Sequence, residues 1–310
     1  MYNKFNKEIF KTPILFIIFN RPEKTKKVFN EIAKIRPQKF YIAADGPRKN
    51  NYDDATKCKL VREFVIKNIT WPCNYKNLFR KDNLGCKKAV SSAIDWFFEN
   101  EEMGIILEDD CVPDPSFFYF CQELLLRYIN DSRVMMINGV NFQDGLKRGT
   151  ASYFFSKYAN VWGWASWKRA WKFYDVNMKS YEDFKKHNRI KDVFHNFFIR
   201  QYWIMKLDEV YNGKIDTWDY QWSYTIFSQN GLCITPNQNL VTNIGLDKEA
   251  THTKKSNIKL FNLKTSSIRE IKHPIFFVVD SKADNYTFKK VYSNFFKVFV
   301  KIILRKLKII

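Results

Sequence analysis

Short apolar runs and amphipathic stretches alternate through the first half of the chain. Ile14 to Phe19 is a continuous apolar run closed by Asn20-Arg21-Pro22, which has the length and ending of a buried strand. From Pro22 to about Ile35, the residues Val28, Ile32 and Ile35 fall on one helical face, and proline suits the first turn of a helix. The same pattern predicts strands at Phe40–Ala44, Tyr75–Phe79, Ile105–Leu107 and Val134–Ile137. Helices are predicted over about Ala55–Asn68, Lys87–Phe98 and Ser116–Tyr128. This alternation predicts an α/β fold with a mostly parallel central sheet flanked by helices. Such sheets bind ligands beyond the carboxyl ends of their strands. Three polar groups fall there: Asn20-Arg21, Asp45-Gly46 and Glu108-Asp109-Asp110.

Beyond about residue 140 the pattern turns aromatic, helical and less regular. The stretch NVWGWASWKRAW (160–171) holds four of the nine tryptophans, and DTWDYQW (216–222) holds two more. Trp167 and Trp171, four apart, are expected on one helix as core packing. Residues 256–310 read as a C-terminal appendage, and its last part, 288–310, carries seven Lys or Arg and no acid. There Lys290, Asn294, Lys297, Lys301, Arg305 and Lys308 share one helical face, with apolar residues around the rest. That amphipathic pattern suits a helix lying in the interface of an anionic membrane, each cation contributing about 1 kcal/mol, with a helix packing back on the domain as the structural alternative. Lys297 and Lys301 would lie mid-bilayer in a spanning helix, which argues against one.

Composition narrows the choice of partner. At 310 residues and 45% hydrophobic content, the chain suits one large globular domain plus an appendage. Its formal charge of +20 points to anionic partners: nucleotide phosphates, acidic lipid or nucleic acid. Nucleic acid is disfavoured, because no basic-aromatic recognition motif occurs and the acids at the ligand edge would repel phosphates without a metal. The six cysteines form no C-x-x-C pair and do not cluster with the four histidines, so they read as free thiols of a reducing cytoplasm. The Ile14–Phe19 run is too short for a signal core or a membrane span.

The acid triplet is the strongest chemical signal. Adjacent like charges repel, so Glu108, Asp109 and Asp110 at a strand end call for a positive partner. Hard divalent cations take carboxylate oxygens and keep open positions for phosphates. Asp45 has an alternative reading as a simple Asp-Gly turn, Asn20 as a helix cap, and Arg21 as a surface residue. At a helix start on the ligand face, Arg21 is also suited to contact phosphate or base.

Five segments in order, PILFIIFNRPEKTKKVF, YIAADGPR, NLGCKKAVSSAIDWFF, GIILEDDCVPDPSFFYF and WGWASW, resemble the GT-A glycosyltransferases. The nearest pattern is the branch of N-acetylglucosaminyltransferase I and the bacterial hemolytic-protein-like transferases, and it spans roughly residues 12–252. The resemblance implies a GT-A (Rossmann-like) domain over 1–255, with a nucleotide-sugar half to about 140 and an acceptor half from 141. It implies Mn²⁺ or Mg²⁺ as cofactor, held by Asp110 and bridged to the donor diphosphate. By position, Asp109 and Glu108 would face ribose and sugar, Asp45 the uracil ring, and Arg21 with Asn20 the base or phosphate. Gly163-Trp164 matches a turn that lies against the donor sugar, so Trp164 is expected as a stacking platform.

An inverting transfer needs a carboxylate to remove the acceptor hydroxyl proton. DTWDYQW resembles the W-D-D-W segment that supplies it, with Asp219 the better match and Asp216 its rival. Asp216 as helix cap with Asp219 in the first turn is the structural alternative for the same pair. His252, at the end of the matched region, is expected on the metal or diphosphate. The resulting expectation is a metal-dependent glycosyltransferase using a nucleotide-sugar donor and a glycan or lipid-linked acceptor in surface polysaccharide synthesis. It would sit in the cytoplasm on the inner face of the membrane, attached through 288–310. A non-catalytic membrane-active or glycan-binding protein is the competing expectation.

Overall fold

The computed structural model describes residues 10–245, 260, 263–292 and 304. The first half alternates as the periodicity predicts. It runs β1 (Ile14–Ile18), α1 (Pro22–Ile35), β2 (Lys39–Ala44), α2 (Tyr52–Lys67), β3 (Asn74–Phe79), α3 (Gly85–Asn100) and β4 (Met103–Glu108). Then come β5 (Cys111–Pro113), α4 (Pro115–Arg127), β6 (Val134–Asn138), β7 (Tyr153–Ser156), β8 (Trp164–Trp167) and α5 (Lys168–Trp171). The remainder is α6 (Tyr181–Lys186), α7 (Ile190–Val193), α8 (Phe197–Tyr211), α9 (Asp219–Ser228), β9 (Leu232–Pro236), β10 (Val241–Asn243) and α10 (Ser281–Thr287).

Eight strands form one sheet in the order β3-β2-β1-β4-β8-β6-β9-β7, and β5 pairs with β10 in a separate ribbon. The pairs β3–β2, β2–β1, β1–β4 and β6–β9 are parallel, whereas β8 runs against both β4 and β6, and β7 against β9. Within the eight-stranded sheet, all strands except β7 and β8 therefore point the same way.

The continuous apolar runs follow from burial on both faces. In β1, Ile14, Phe16 and Ile18 pack with Val28, Phe29 and Ile32 of α1 and Val61 of α2. Leu15, of opposite parity, packs with Ala93, Ile94 and Phe97 of α3. The second half departs from the expected helical character, because three of its segments are sheet strands. Trp167 ends β8 while Trp171 lies in α5, so the pair does not share a helix. A third cluster, built from α6 to α9, holds Tyr181, Trp203, Tyr224 and Phe227.

Among the described residues no helix is long and apolar enough to cross a membrane. Chain 281–292 is helical, with α10 followed by a π-helical turn at Phe288–Tyr292. Most of the basic segment expected to meet a membrane, 293–303 and 305–310, lies outside the described residues.

Candidate functional site

The sheet reverses its order between β1 and β4. From β1 the chain builds outward through β2 and β3, then returns to place β4 on the other side. A crevice opens outside the carboxyl ends of strands at such a switch point. Ile17 is level with Glu108 and Ile18 with Ala44, so Arg21, Asp45 and the acid triplet all emerge at this edge.

Arg21 is the N-cap residue of α1 and makes no side-chain cap bond, since Pro22 fills the first helical position. Its guanidinium reaches across to β4 instead. Nη1 donates to Asp110 Oδ2 at 2.7 Å and to Asp109 Oδ1 at 3.3 Å. Asp109 is buried and also accepts from the Phe19 N–H at 3.2 Å. Asp110 Oδ1 accepts from Asn243 Nδ2 at 3.2 Å, and the Asp110 carbonyl accepts from the Ile244 N–H at 2.8 Å. The short β5–β10 ribbon thus fastens the last acid of the triplet. Gly245 follows it closely: a Cβ there would stand 2.3 Å from Asp110 Oδ2, so only glycine leaves room.

The charges are crowded. Burial, then repulsion from Asp110 and Asp109, pushes the Glu108 carboxyl up to about 8, and Asp219 adds to the push. Burial lifts Asp109 to about 6 against the pull of Arg21. For Arg21 itself burial works to lower the pKa, but the three acids together outweigh it and raise it.

Asn20 belongs to a neighbouring network. Its Nδ2 donates to Asp54 Oδ1 at 2.7 Å, and Arg48 Nε donates to Asp54 Oδ2 at 2.5 Å, with Asp54 almost wholly buried. Asp45 is also engaged: its carboxylate accepts from Asn83 Nδ2 at 3.0 Å and from the N–H groups of Leu84 and Gly85 at the start of α3. It therefore fastens the β3–α3 turn to the end of β2.

Asp219 opens α9, with the Thr217 hydroxyl donating to its carboxylate. Trp218, not Asp216, is the N-cap. A Cβ on Gly85 would lie 3.4 Å from Asp216 Oδ2. Cys86 beside it is pushed up to about 12, first by burial and then by Glu108, Asp219 and Asp216. Acids from β4 and from the DTWDYQW segment, more than a hundred residues apart, thus converge around one half-buried thiol. The expectation for Trp164 is corrected. Trp164 is 0% exposed, sandwiched with Trp218, Trp222 and Trp171, and offers no open face to a sugar ring. It forms the floor beneath α9. His252 lies outside the described residues.

Asp54, Arg48, Asn83, Asn243 and Gly245 escape sequence reasoning. Asp54 reads as an ordinary first-turn acid of α2, and nothing in VTNIG marks Asn243 or Gly245 as neighbours of Asp110.

The residues present fit a hard divalent cation in one limited way. Among the described residues no three His, Cys, Asp or Glu side chains converge as a metal cage. Magnesium-like sites, however, commonly use one or two carboxylates together with substrate phosphates and water. Half-buried Asp110, at the crevice between β1 and β4, suits that role, with Arg21 as the resident cation.

No protein-family model matches the chain, and no curated protein matches it. Solved structures offer distant likenesses. HddC from Yersinia pseudotuberculosis is 8% identical with a TM-score of 0.30, over 51% of this chain and 77% of that one. A cytidylyltransferase from Leptospira borgpetersenii is 13% identical with a TM-score of 0.30, over 53% of this chain and 63% of that one. The 4-diphosphocytidyl-2C-methyl-D-erythritol synthase of Anaerococcus prevotii is 11% identical with a TM-score of 0.28, over 57% and 76%. At this level of superposition the likenesses carry no argument about activity, which must come from the site.

Proposed function

We propose that the chain is a metal-dependent glycosyltransferase that takes a sugar from a nucleotide-sugar, UDP-linked by preference, to a glycan or lipid-linked acceptor with inversion. One observation carries this reading. Arg21 bridges Asp109 and Asp110 in the crevice between β1 and β4, and Asp219 of the second half lies close enough to raise Glu108. A cation source and acids suited to a diphosphate thus face a carboxylate suited to deprotonate an acceptor.

In this reading Arg21 turns from the acids to the diphosphate when donor binds, and Asp110 holds Mn²⁺ or Mg²⁺. The metal, when bound, supplies charge neutralisation for the leaving diphosphate. Asp219, positioned at the start of α9 over a floor of tryptophans, is the base, and exposed Asp216 is its rival. Asn20 and the Asp54–Arg48 network hold the loop after β1 in place. Asp45 would reach a base ring only alongside the hydrogen bonds it already makes.

The test is calorimetric titration of UDP into the full chain with and without Mn²⁺, beside Asp110→Ala. Binding that requires both the metal and Asp110 supports the reading. Silence toward UDP, GDP and CMP alike would remove it.

A further inference from the structure

The far edge of the sheet carries an apolar loop that the candidate site does not use. Edge strand β7 is bordered by the segment that follows the second half. The Ser152 N–H donates to the Lys272 carbonyl at 2.7 Å, and the Lys272 N–H donates to Ser152 Oγ at 2.8 Å. Further along, Val279 bridges in parallel to Phe155, whose carbonyl accepts from the Asp280 N–H at 2.9 Å. Ser152 and Phe155 are three residues apart, whereas Lys272 and Val279 are seven apart. The excess chain projects as a loop that leaves beside the start of β7 and returns beside Phe155. Tyr153 is level with Pro236, the last residue of β9, so that start lies on the carboxyl edge of the parallel strands. Arg21 and Asp110 open on the same edge. Between β4 and β7 there are four strand intervals, a distance of about 19 Å.

The loop is anchored on one side and bare on the other. The Phe277 ring lies 4.2 Å from that of Phe155, with the Arg133 guanidinium 3.7 Å from its centroid. His273 is tied to Tyr153 at 3.0 Å and to Glu123 at 3.1 Å. Ile275, Phe276 and Val278 instead point outward, 92%, 75% and 68% exposed. Beside Lys272 lies a cavity of about 480 Å³ whose lining includes Lys147, Arg269 and Lys272, with Glu270 as its acid. Across 263–310 the sequence has eleven Lys or Arg against three acids.

We propose that Ile275, Phe276 and Val278 insert into the interface of an anionic lipid surface, with Lys147, Arg269 and Lys272 meeting its headgroups. Apolar side chains flanked by cations are the combination such surfaces select. Three side chains on a loop tip offer about half of the roughly 800 Å² that each partner of a stable protein interface buries, but enough for insertion. The proposal does not depend on nucleotide binding.

Flotation of the full chain with phosphatidylcholine vesicles, plain or mixed with phosphatidylglycerol, tests it against Ile275→Ser/Phe276→Ser. The wild type should float with the anionic vesicles only, and the double variant should partition about tenfold more weakly. Its melting temperature should be unchanged, because neither side chain is packed. Three results would overturn the proposal: a wild type that stays in solution, a variant that floats as well as the wild type, or a wild-type dimer in sedimentation that the variant abolishes. The second would leave attachment to residues outside the loop, and the third would assign the patch to another copy of the chain.

Discussion

Arg21 does the work of a resident cation. Its guanidinium is mostly buried and satisfies two carboxylates that would otherwise repel at close range, so removing it should be felt twice. In metal-free buffer, Arg21→Met should lose at least about 1–3 kcal/mol, the penalty for leaving a buried polar group unpaired, which is larger when that group is charged. Added Mn²⁺ should recover more melting temperature in this variant than in the wild type, since the acids then have an unoccupied place for a cation. Identical melts with and without metal would sink the idea. Glu108 gives a second test through pH. A carboxyl held near 8 in the fold, against its ordinary value near 4.5, keeps its proton longer when folded than when unfolded. The folded state therefore loses stability as pH rises from about 4.5 to about 8, and keeps it below that window. Asp109 and Asp284, raised to about 6 and about 7, act in the same direction. Glu108→Gln cannot ionise, so its melting temperature should gain on the wild type steadily across that range. Parallel pH profiles would refute the assignment. At this scale the sequence announced the acids and Arg21, because each directly follows an apolar strand. It was silent on Asn243 and Asp54, whose partners lie 133 and 34 residues away and are brought near only by folding.

The elements of the first half were legible because each buried strand is a compact apolar run and each helix shows its face every three or four residues. The second half resisted, and tryptophan is the reason. In WGWASW, bulky side chains occupy positions of both parities. Trp164 packs on one face of the sheet with Trp218 and Trp222, and Trp167 packs on the other with the cluster around α4. A strand buried on both faces leaves no alternation to read, and the aromatic content suggests helix as readily as sheet. The same packing makes Trp164 the floor of α9 rather than a sugar platform. Trp164→Ala should therefore cost about 3–5 kcal/mol, as large-to-small changes in a filled core do. Denaturant unfolding measures this directly. A loss under about 1 kcal/mol would mean that the ring is not packed as described and would restore the platform reading.

At the scale of the whole molecule, a division into a nucleotide half and an acceptor half need not be a division in folding. The acid triplet ends β4, and the strand beside β4 on its outer side is β8, which comes from residues 164–167. On the other flank of β8 lies β6, which is joined in turn to β9 of the second half. A fragment ending at 140 would keep β3-β2-β1-β4 but expose the open edge of β4 and lose every strand that β6 pairs with. It would also lose Asn243 and Gly245, which meet Asp110 from the far end of the chain. An unpaired apolar strand in the centre of a sheet is a template for aggregation, not a stable boundary. The fragment 1–140 should therefore be insoluble or lack a cooperative thermal transition, whereas the full chain should unfold in one transition followed equally by far-ultraviolet dichroism and tryptophan emission. Seven of the nine tryptophans lie beyond residue 140, so emission reports chiefly on the second half and dichroism on both. Two separated transitions, or a folded and soluble fragment, would show that the halves are independent and that the candidate site is assembled by docking. Coincident transitions would mean that the crevice exists only in the complete sheet, with Asp219 and Arg21 brought to it by one folding event.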